Sequence, residues 1–361
     1  MDCPYIPDRK LGDLSYKLLE KVGRNRIPIA GSIELTFRCN LRCQHCYVSH
    51  GHNGMPGKQE LSLAEIKRIF DQIAEGGTLW LLITGGEPFM RRDFKEIYLY
   101  AKQKGFLITL FTNGTLITPR MADFFAEYRP YKIDITLYGY RKETYENVTG
   151  IPGSYEKCYR GIELLHERGI PLGLKTMLMT LTQDELWDMK QYAEELGVRF
   201  RYDAMINAGL ERDLEPVSFR LAPEDIIQIE LQDQPLVDEM REYFDLRKDI
   251  KVDPHQLYVC SAGLRSFHID PYGKLSLCMM AREQEYDLLS GSFKRGWDDF
   301  LAQVRTQKTE NERECNSCSL ISICGQCPGW SYIEHGDEYT KVDYLCQMTH
   351  LRAEKFGFIH L

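Results

Sequence analysis

Ten of the twelve cysteines in this 361-residue chain are grouped as metal ligands would be. Cys39-Asn40-Leu41-Arg42-Cys43-Gln44-His45-Cys46 has the spacing C-x3-C-x2-C. Cys315, Cys318, Cys324 and Cys327 follow one another within thirteen residues, with Cys260, Cys278 and Cys346 flanking them. Cys3 and Cys158 stand apart and read as structural or incidental. Thiolates at gaps of two or three residues let a loop wrap an iron–sulfur cubane. Three thiolates on a four-iron cluster leave one iron without a protein ligand, free to bind a chelating small molecule. Zinc is the competing reading, and it differs between the two groups. In the first, His45 would have to complete the tetrahedron from between Cys43 and Cys46, an awkward place; in the second, four cysteines suffice for a zinc knuckle.

These residues need elements to hold them. Strand-like runs at Ile33–Phe37, Leu79–Thr84, Phe106–Phe111, Lys132–Leu137, Leu172–Leu178 and Arg199–Asp203 alternate with helical patterns. The helices are expected over Leu63–Ala74 (Ser62 and Glu65 forming a capping box), Arg92–Lys104, Thr118–Tyr128, Ser154–Arg168 and Asp184–Leu196. Such alternation predicts βα units around a parallel sheet. Six units are short of the eight of a complete barrel, so the expected α/β fold is a partial (β/α)6 barrel, with a doubly wound open sheet as the alternative. The first cysteine motif follows the first strand directly. Thr84-Gly85-Gly86-Glu87-Pro88 follows the second, Thr112-Asn113-Gly114-Thr115 the third, and Thr136 ends the fourth. All lie at C-terminal strand ends, where such folds place ligands.

The expected organisation is a lead-in over residues 1–30, helical from Leu11 to Val22, then a barrel with a bridging region over 31–250, then a cysteine-rich α+β domain over 251–361. Residues 222–246 read as one charged helix, and Phe267–Ile269 and Leu275–Leu277 as a hairpin about Pro271-Tyr272-Gly273. With 43% hydrophobic and 27% charged residues the composition is that of an ordinary globular protein. A net charge of −8 speaks against a general nucleic-acid binder, and no apolar run is long enough to span a bilayer. The start Met1-Asp2-Cys3-Pro4 lacks a signal-peptide pattern, so the expected location is the cytoplasm, where clustered cysteines favour metal over disulfides.

Taken together, these motifs resemble the radical S-adenosylmethionine (SAM) superfamily over about residues 30–205. The resemblance implies a four-iron cluster on Cys39, Cys43 and Cys46 whose open iron chelates the methionine part of SAM. Reductive cleavage of SAM would then give a 5′-deoxyadenosyl radical that abstracts a hydrogen. It implies SAM contacts from His45 beside the adenine, from Gly85, Gly86, Glu87 and Pro88 at the ammonium, from Asn113, and from Thr136 near the ribose. The later cysteines resemble the SPASM domain, which holds two auxiliary clusters. Carried over by order, Cys315, Cys318, Cys324 and Cys346 hold an outer cluster, and Cys260, Cys278 and Cys327 an inner one, giving three [4Fe-4S] clusters in all. Two departures stand out. Only Gly325 and Gln326 separate Cys324 from Cys327, and the inner set has three cysteines rather than four. Met279 occupies the place of the catalytic Asp of sulfatase-maturing relatives, which speaks against that branch.

The implied function is modification of a precursor peptide, such as a thioether or carbon–carbon cross-link. A separate recognition protein and an external electron donor of flavodoxin or ferredoxin type are the implied partners. A small-molecule or tetrapyrrole substrate, and a non-catalytic metal scaffold, are the alternatives. No catalytic acid or base is assigned; Tyr138, Tyr140, Tyr202, Tyr272, His255 and His268 read as filler or structural residues.

Overall fold

The computed structural model describes residues 21–48, 57–247, 250–253, 255–309 and 314–358; the expected helix from Leu11 lies almost wholly outside these, as does Cys3. Six strands run parallel: β1 (Ala30–Glu34), β2 (Trp80–Thr84), β3 (Leu107–Thr112), β4 (Lys132–Thr136), β5 (Leu172–Met177) and β6 (Arg199–Asp203). They lie in sequence order, β6-β5-β4-β3-β2-β1. A doubly wound sheet must reverse its order, and this one does not. Right-handed crossovers without reversal put the connecting helices on one face. Those helices are α1 (Leu63–Glu75), α2 (Phe94–Gln103), α3 (Pro119–Glu127), α4 (Lys142–Thr149), α5 (Ser154–Glu167) and α6 (Leu186–Glu195).

Alternation along the strands sorts the two faces. Ile33, Leu81, Ile83, Ile108, Leu110, Ile133, Ile135 and Leu174 join the helices in one core. The residues between them, among them Glu34, Asp134 and Lys175, turn to the opposite face. That face is strongly curved. Arg201 on β6 bonds Asp134 on β4 at 3.1 Å, and its guanidinium lies 5.4 Å from the Phe111 ring on β3. Three strand spacings in a flat sheet amount to about 14 Å, so the sheet curls inward as a partial barrel does.

The capping box forms as the sequence predicts. Ser62 Oγ accepts from Glu65 N at 3.3 Å, and Ser62 N donates to Glu65 Oε2 at 2.7 Å. Ile66, Ile69, Phe70 and Ile73 of α1 then bury one helical stripe. Three expectations need correction. β1 starts at Ala30 and its ladder ends at Glu34; Leu35 N still donates to Thr84 O at the end of β2, and from Thr36 on the chain bonds the loop after β2. Helix α4 is additional. The single helix over 222–246 is two, α7 (Pro223–Glu230) and α8 (Gln234–Arg247). Pro235 has no N–H and is tolerated only in a first turn, so it starts a helix there rather than continuing one.

The later cysteines lie beyond α8. The expected hairpin is β7 (Ser266–Ile269) and β8 (Lys274–Ser276), extended by β9 (Tyr286–Asp287). β7 also pairs with β1, in parallel, so the nine strands form one sheet. Behind them come α9, a helical run over 293–305 passing through a π-turn, then α10 (Pro328–His335) and α11 (Asp343–Lys355). Phe267, Leu275, Phe293 and Trp297 share the barrel's core. A second core joins α7, α8 and α11 through Ile226, Phe244 and Met348. Among the described residues no helix is long and apolar enough to cross a membrane.

Candidate active site

Cys39, Cys43 and Cys46 sit on the loop after β1, each half-buried. The loop is braced by α4, the helix absent from the sequence reading. Arg42 N donates to Thr149 O at 2.8 Å and Gln44 N to Val148 O at 3.1 Å. Gly150 ends α4 at φ 65°, and a Cβ there would stand 3.2 Å from the Arg42 carbonyl. Donors approach the sulfurs: Leu41 N lies 3.4 Å and Asn113 Nδ2 3.8 Å from Cys39 Sγ. Burial pushes the Cys39 thiol up to about 12 and raises those of Cys43 and Cys46. Thiols held so firmly ionise only against a cationic group such as a metal. His45 packs on Tyr138, ring centroids 5.5 Å apart. Burial pulls its pKa down to about 4, so the ring is neutral, and its Nδ1 is buried without a partner. That orphan atom suits a bound molecule with a donor to offer.

The loop after β2 lies directly on this one. Gly86 N donates to Thr36 O at 2.8 Å and Glu87 N to Arg38 O at 2.9 Å. A Cβ on Gly85 would stand 2.3 Å from Thr36 O, and one on Gly86 2.5 Å from Arg38 O, so only glycines allow this contact. Glu87 is fully buried. Its carboxylate accepts from Thr112 Oγ1 at 2.9 Å, from Asn113 N at 2.9 Å and from Phe89 N at 3.2 Å. A carboxylate has about four acceptor positions, so Glu87 joins the loops after β2 and β3 with both oxygens engaged. Pro88 opens a short buried turn. Asn113 Nδ2 reaches Asn40 Oδ1 at 3.0 Å, linking the third loop to the first. Thr136, paired with Lys175 in register, ends β4 on the charged face. Thus the structure gathers His45, Gly85, Gly86, Glu87, Pro88 and Asn113 about the first cysteine loop, with Thr136 at the end of the neighbouring strand.

The remaining cysteines form two groups. Cys315, Cys318, Cys324 and Cys346 line one cavity with Leu257, Val259 and Leu320. Gln326 N at 3.4 Å and Thr349 Oγ1 at 3.7 Å donate to Cys324 Sγ. Cys327 borders that cavity but interacts electrostatically with Cys278 and Cys260. Among the described residues no three His, Cys, Asp or Glu side chains are placed to hold a single metal ion. A tetrahedral zinc site needs its sulfurs about 3.8 Å apart, from Zn–S bonds of about 2.3 Å. A cubane, with irons at alternate corners that each take one thiolate, takes a wider set. Donor type and grouping therefore fit clusters. Cys158 is buried near Tyr145, apart from both groups.

Sequence reasoning missed a buried network beneath the first loop. Glu34 Oε1 accepts from Tyr47 Oη at 3.0 Å, and Glu34 Oε2 accepts from Arg282 Nη2 at 2.7 Å. His268 Nε2 lies 3.2 Å from that same Oε2, and its Nδ1 2.8 Å from Ser32 Oγ. Burial alone would raise the Glu34 carboxyl, but Arg282 and His268 outweigh it and hold it at about 2. Arg282 Nε also donates to Met279 O at 2.6 Å, which ties the loop after Cys278 to the loop carrying Cys46. The available signal was a glutamate set between Ile33 and Leu35 in a buried strand.

Residues 33–196 match the model of the radical SAM superfamily. The chain is 25% identical to the AdoMet-dependent heme synthase of Methanosarcina barkeri, over 86% of this chain and 94% of that one. It is 26% identical to the subtilosin biosynthesis protein AlbA of Bacillus subtilis, over 83% of this chain and 67% of that one. Streptococcus suis SuiB, crystallised with its precursor peptide SuiA, shares the fold with a TM-score of 0.69 at 16% identity, over 96% of this chain and 84% of that one. The motif match and the parallel sheet agree: the chain is an enzyme with a radical SAM domain over residues 33–196, followed by a cysteine-rich region.

Proposed function

We propose that this radical SAM enzyme carries its SAM-binding cluster on Cys39, Cys43 and Cys46, holds two auxiliary clusters on the later cysteines, and modifies a precursor peptide. The cluster supplies the electron that cleaves SAM. The chain's own residues orient SAM: the neutral His45 ring beside the adenine, the backbone of Gly85 and Gly86 at the ammonium, with Glu87 fixing that backbone, and Asn113 and Thr136 around them. An external flavodoxin- or ferredoxin-type donor supplies electrons, a separate protein assists peptide recognition, and the reducing cytoplasm suits cysteines that carry clusters rather than disulfides.

The observation that carries the peptide reading is the second cysteine set, held on the same sheet and core as the barrel. AlbA, a biosynthesis protein for the bacteriocin subtilosin, supports it. The relative named a heme synthase, matched over 94% of its length, favours a second reading in which the substrate is an iron porphyrin. Two measurements decide. Anaerobically reconstituted protein should hold about 12 iron atoms per chain and no zinc, and replacing Cys39, Cys43 and Cys46 by Ala should leave about 8 and abolish 5′-deoxyadenosine production. With SAM and a reductant, a peptide encoded beside this chain should change mass, while an iron porphyrin should leave the visible spectrum as a simple sum. A porphyrin converted while every such peptide stays unchanged would overturn the peptide reading.

A further inference from the structure

Arg305 ends α9 and is 5% exposed. Its Nε and Nη1 are buried without any hydrogen-bond partner. A buried donor left unpaired is costly, and more so when charged. Such groups are rare unless something outside the polypeptide receives them. Its carbon stem packs along Gly263, where even a Cβ would lie 3.8 Å from Arg305 Cβ. Its surroundings are specific. Burial pulls the guanidinium pKa down, and the neighbouring Cys260 and Tyr258 push it back up. Cys260 in turn interacts with Cys278 and Cys327. Arg305 thus stands beside the inner group of three cysteines, with spare donors and a permanent positive charge. No carboxylate shares an ion pair with it among the described residues.

We propose that Arg305 is a positioning residue for the inner auxiliary cluster, donating hydrogen bonds to its sulfur atoms and raising its reduction potential. The inference rests on Cys260, Cys278 and Cys327 holding that cluster. A cluster on thiolates carries net negative charge, which grows on reduction. A fixed cation and N–H···S bonds stabilise the reduced form more than the oxidised one. An arginine suits this because it keeps its proton under all working conditions and presents a rigid fan of donors.

The test uses full-length protein in which Cys39, Cys43 and Cys46 are Ala, so that only auxiliary clusters remain. EPR-monitored redox titration should then resolve two couples, and a further Cys260→Ala change identifies the inner one by its loss. In Arg305→Gln the inner couple should move to more negative potential while the outer stays in place. In Arg305→Lys, which retains the charge and loses the fan, the inner couple should move the same way by less. Should Arg305→Gln fail to load iron, the Arg305→Lys shift alone decides. Unmoved couples, or equal movement of both, would overturn the proposal and leave the cluster assignment standing. Absence of any auxiliary signal before Arg305 is changed would overturn both together.

Discussion

A carboxylate with three donors around it behaves differently from one awaiting a ligand, and Glu87 is of the first kind. Burial pushes its pKa up to about 7 even against those donors. The folded state therefore binds its proton more tightly than the unfolded chain does. Its contribution to stability is full below about pH 4.5 and fades as the pH rises through 7. Glu87→Gln should remove that fading from a pH series of urea unfolding. It should also destabilise by about 1–3 kcal/mol, because the amide NH2 would face the N–H of either Phe89 or Asn113, which bond different oxygens. SAM affinity should weaken in the same variant, measured by equilibrium binding to reconstituted protein. Wild-type stability and SAM affinity in Glu87→Gln would show that the carboxylate fixes neither loop. At this scale the sequence was informative about residue identity and uninformative about direction. The motif marked Glu87 as important, yet two of the donors that hold it, Thr112 Oγ1 and Asn113 N, lie 25 and 26 residues away at the end of β3 and in the turn after it.

Among the elements, α4 is the one whose absence from the sequence reading matters most. Its eight residues bury only Tyr145, Val148 and Thr149, and Arg141 before it offers no side-chain cap, so neither a long stripe nor a cap announces it. The six strands were legible because each is short, apolar on one face and bounded by turn residues. The brace that α4 gives the first cysteine loop is testable. Gly150→Val should cost about 1–2 kcal/mol for the left-handed backbone alone, and its side chain would press on the Arg42 carbonyl. Iron at the first site should fall while the auxiliary clusters remain, measured as iron per chain and by EPR. The Glu34 network couples a strand and two loops, and its pH dependence runs opposite to that of Glu87. With its pKa held at about 2, Glu34 contributes fully above about pH 4.5 and loses that contribution as the pH falls towards 2. Glu34→Gln should leave Arg282 a buried cation without its carboxylate. The variant should lose about 3–5 kcal/mol at neutral pH, and its remaining stability should vary less with acid over that window. A variant as stable as wild type at pH 7 would show the network to be incidental.

For the molecule as a whole, the main core runs across the boundary expected near residue 250. β7 completes the edge of the barrel sheet, and Phe267 fills the space over Gly31, where a Cβ would meet its ring at 2.3 Å. A fragment ending at residue 250 would expose the β1 edge and the apolar face that Phe267, Phe293 and Trp297 cover. It should be insoluble or aggregate on concentration, read by light scattering, whereas the full chain should not. A monomeric, cooperatively folding fragment would show that the barrel folds without the C-terminal region. Sequence patterns located the hairpin itself but not its partner, because a parallel pairing across more than 230 residues leaves no mark on local periodicity.

That pairing also sets an order of events during synthesis. Arg282 follows Glu34 by 248 residues. At roughly 5–20 residues per second the ribosome delivers it about 12 to 50 seconds later. Through that interval the first cysteine loop emerges without the arginine that locks it to the rest of the protein. The loop carrying Cys39, Cys43 and Cys46 thus stays less enclosed until Arg282 arrives to complete the network with Glu34 and Tyr47 beneath it.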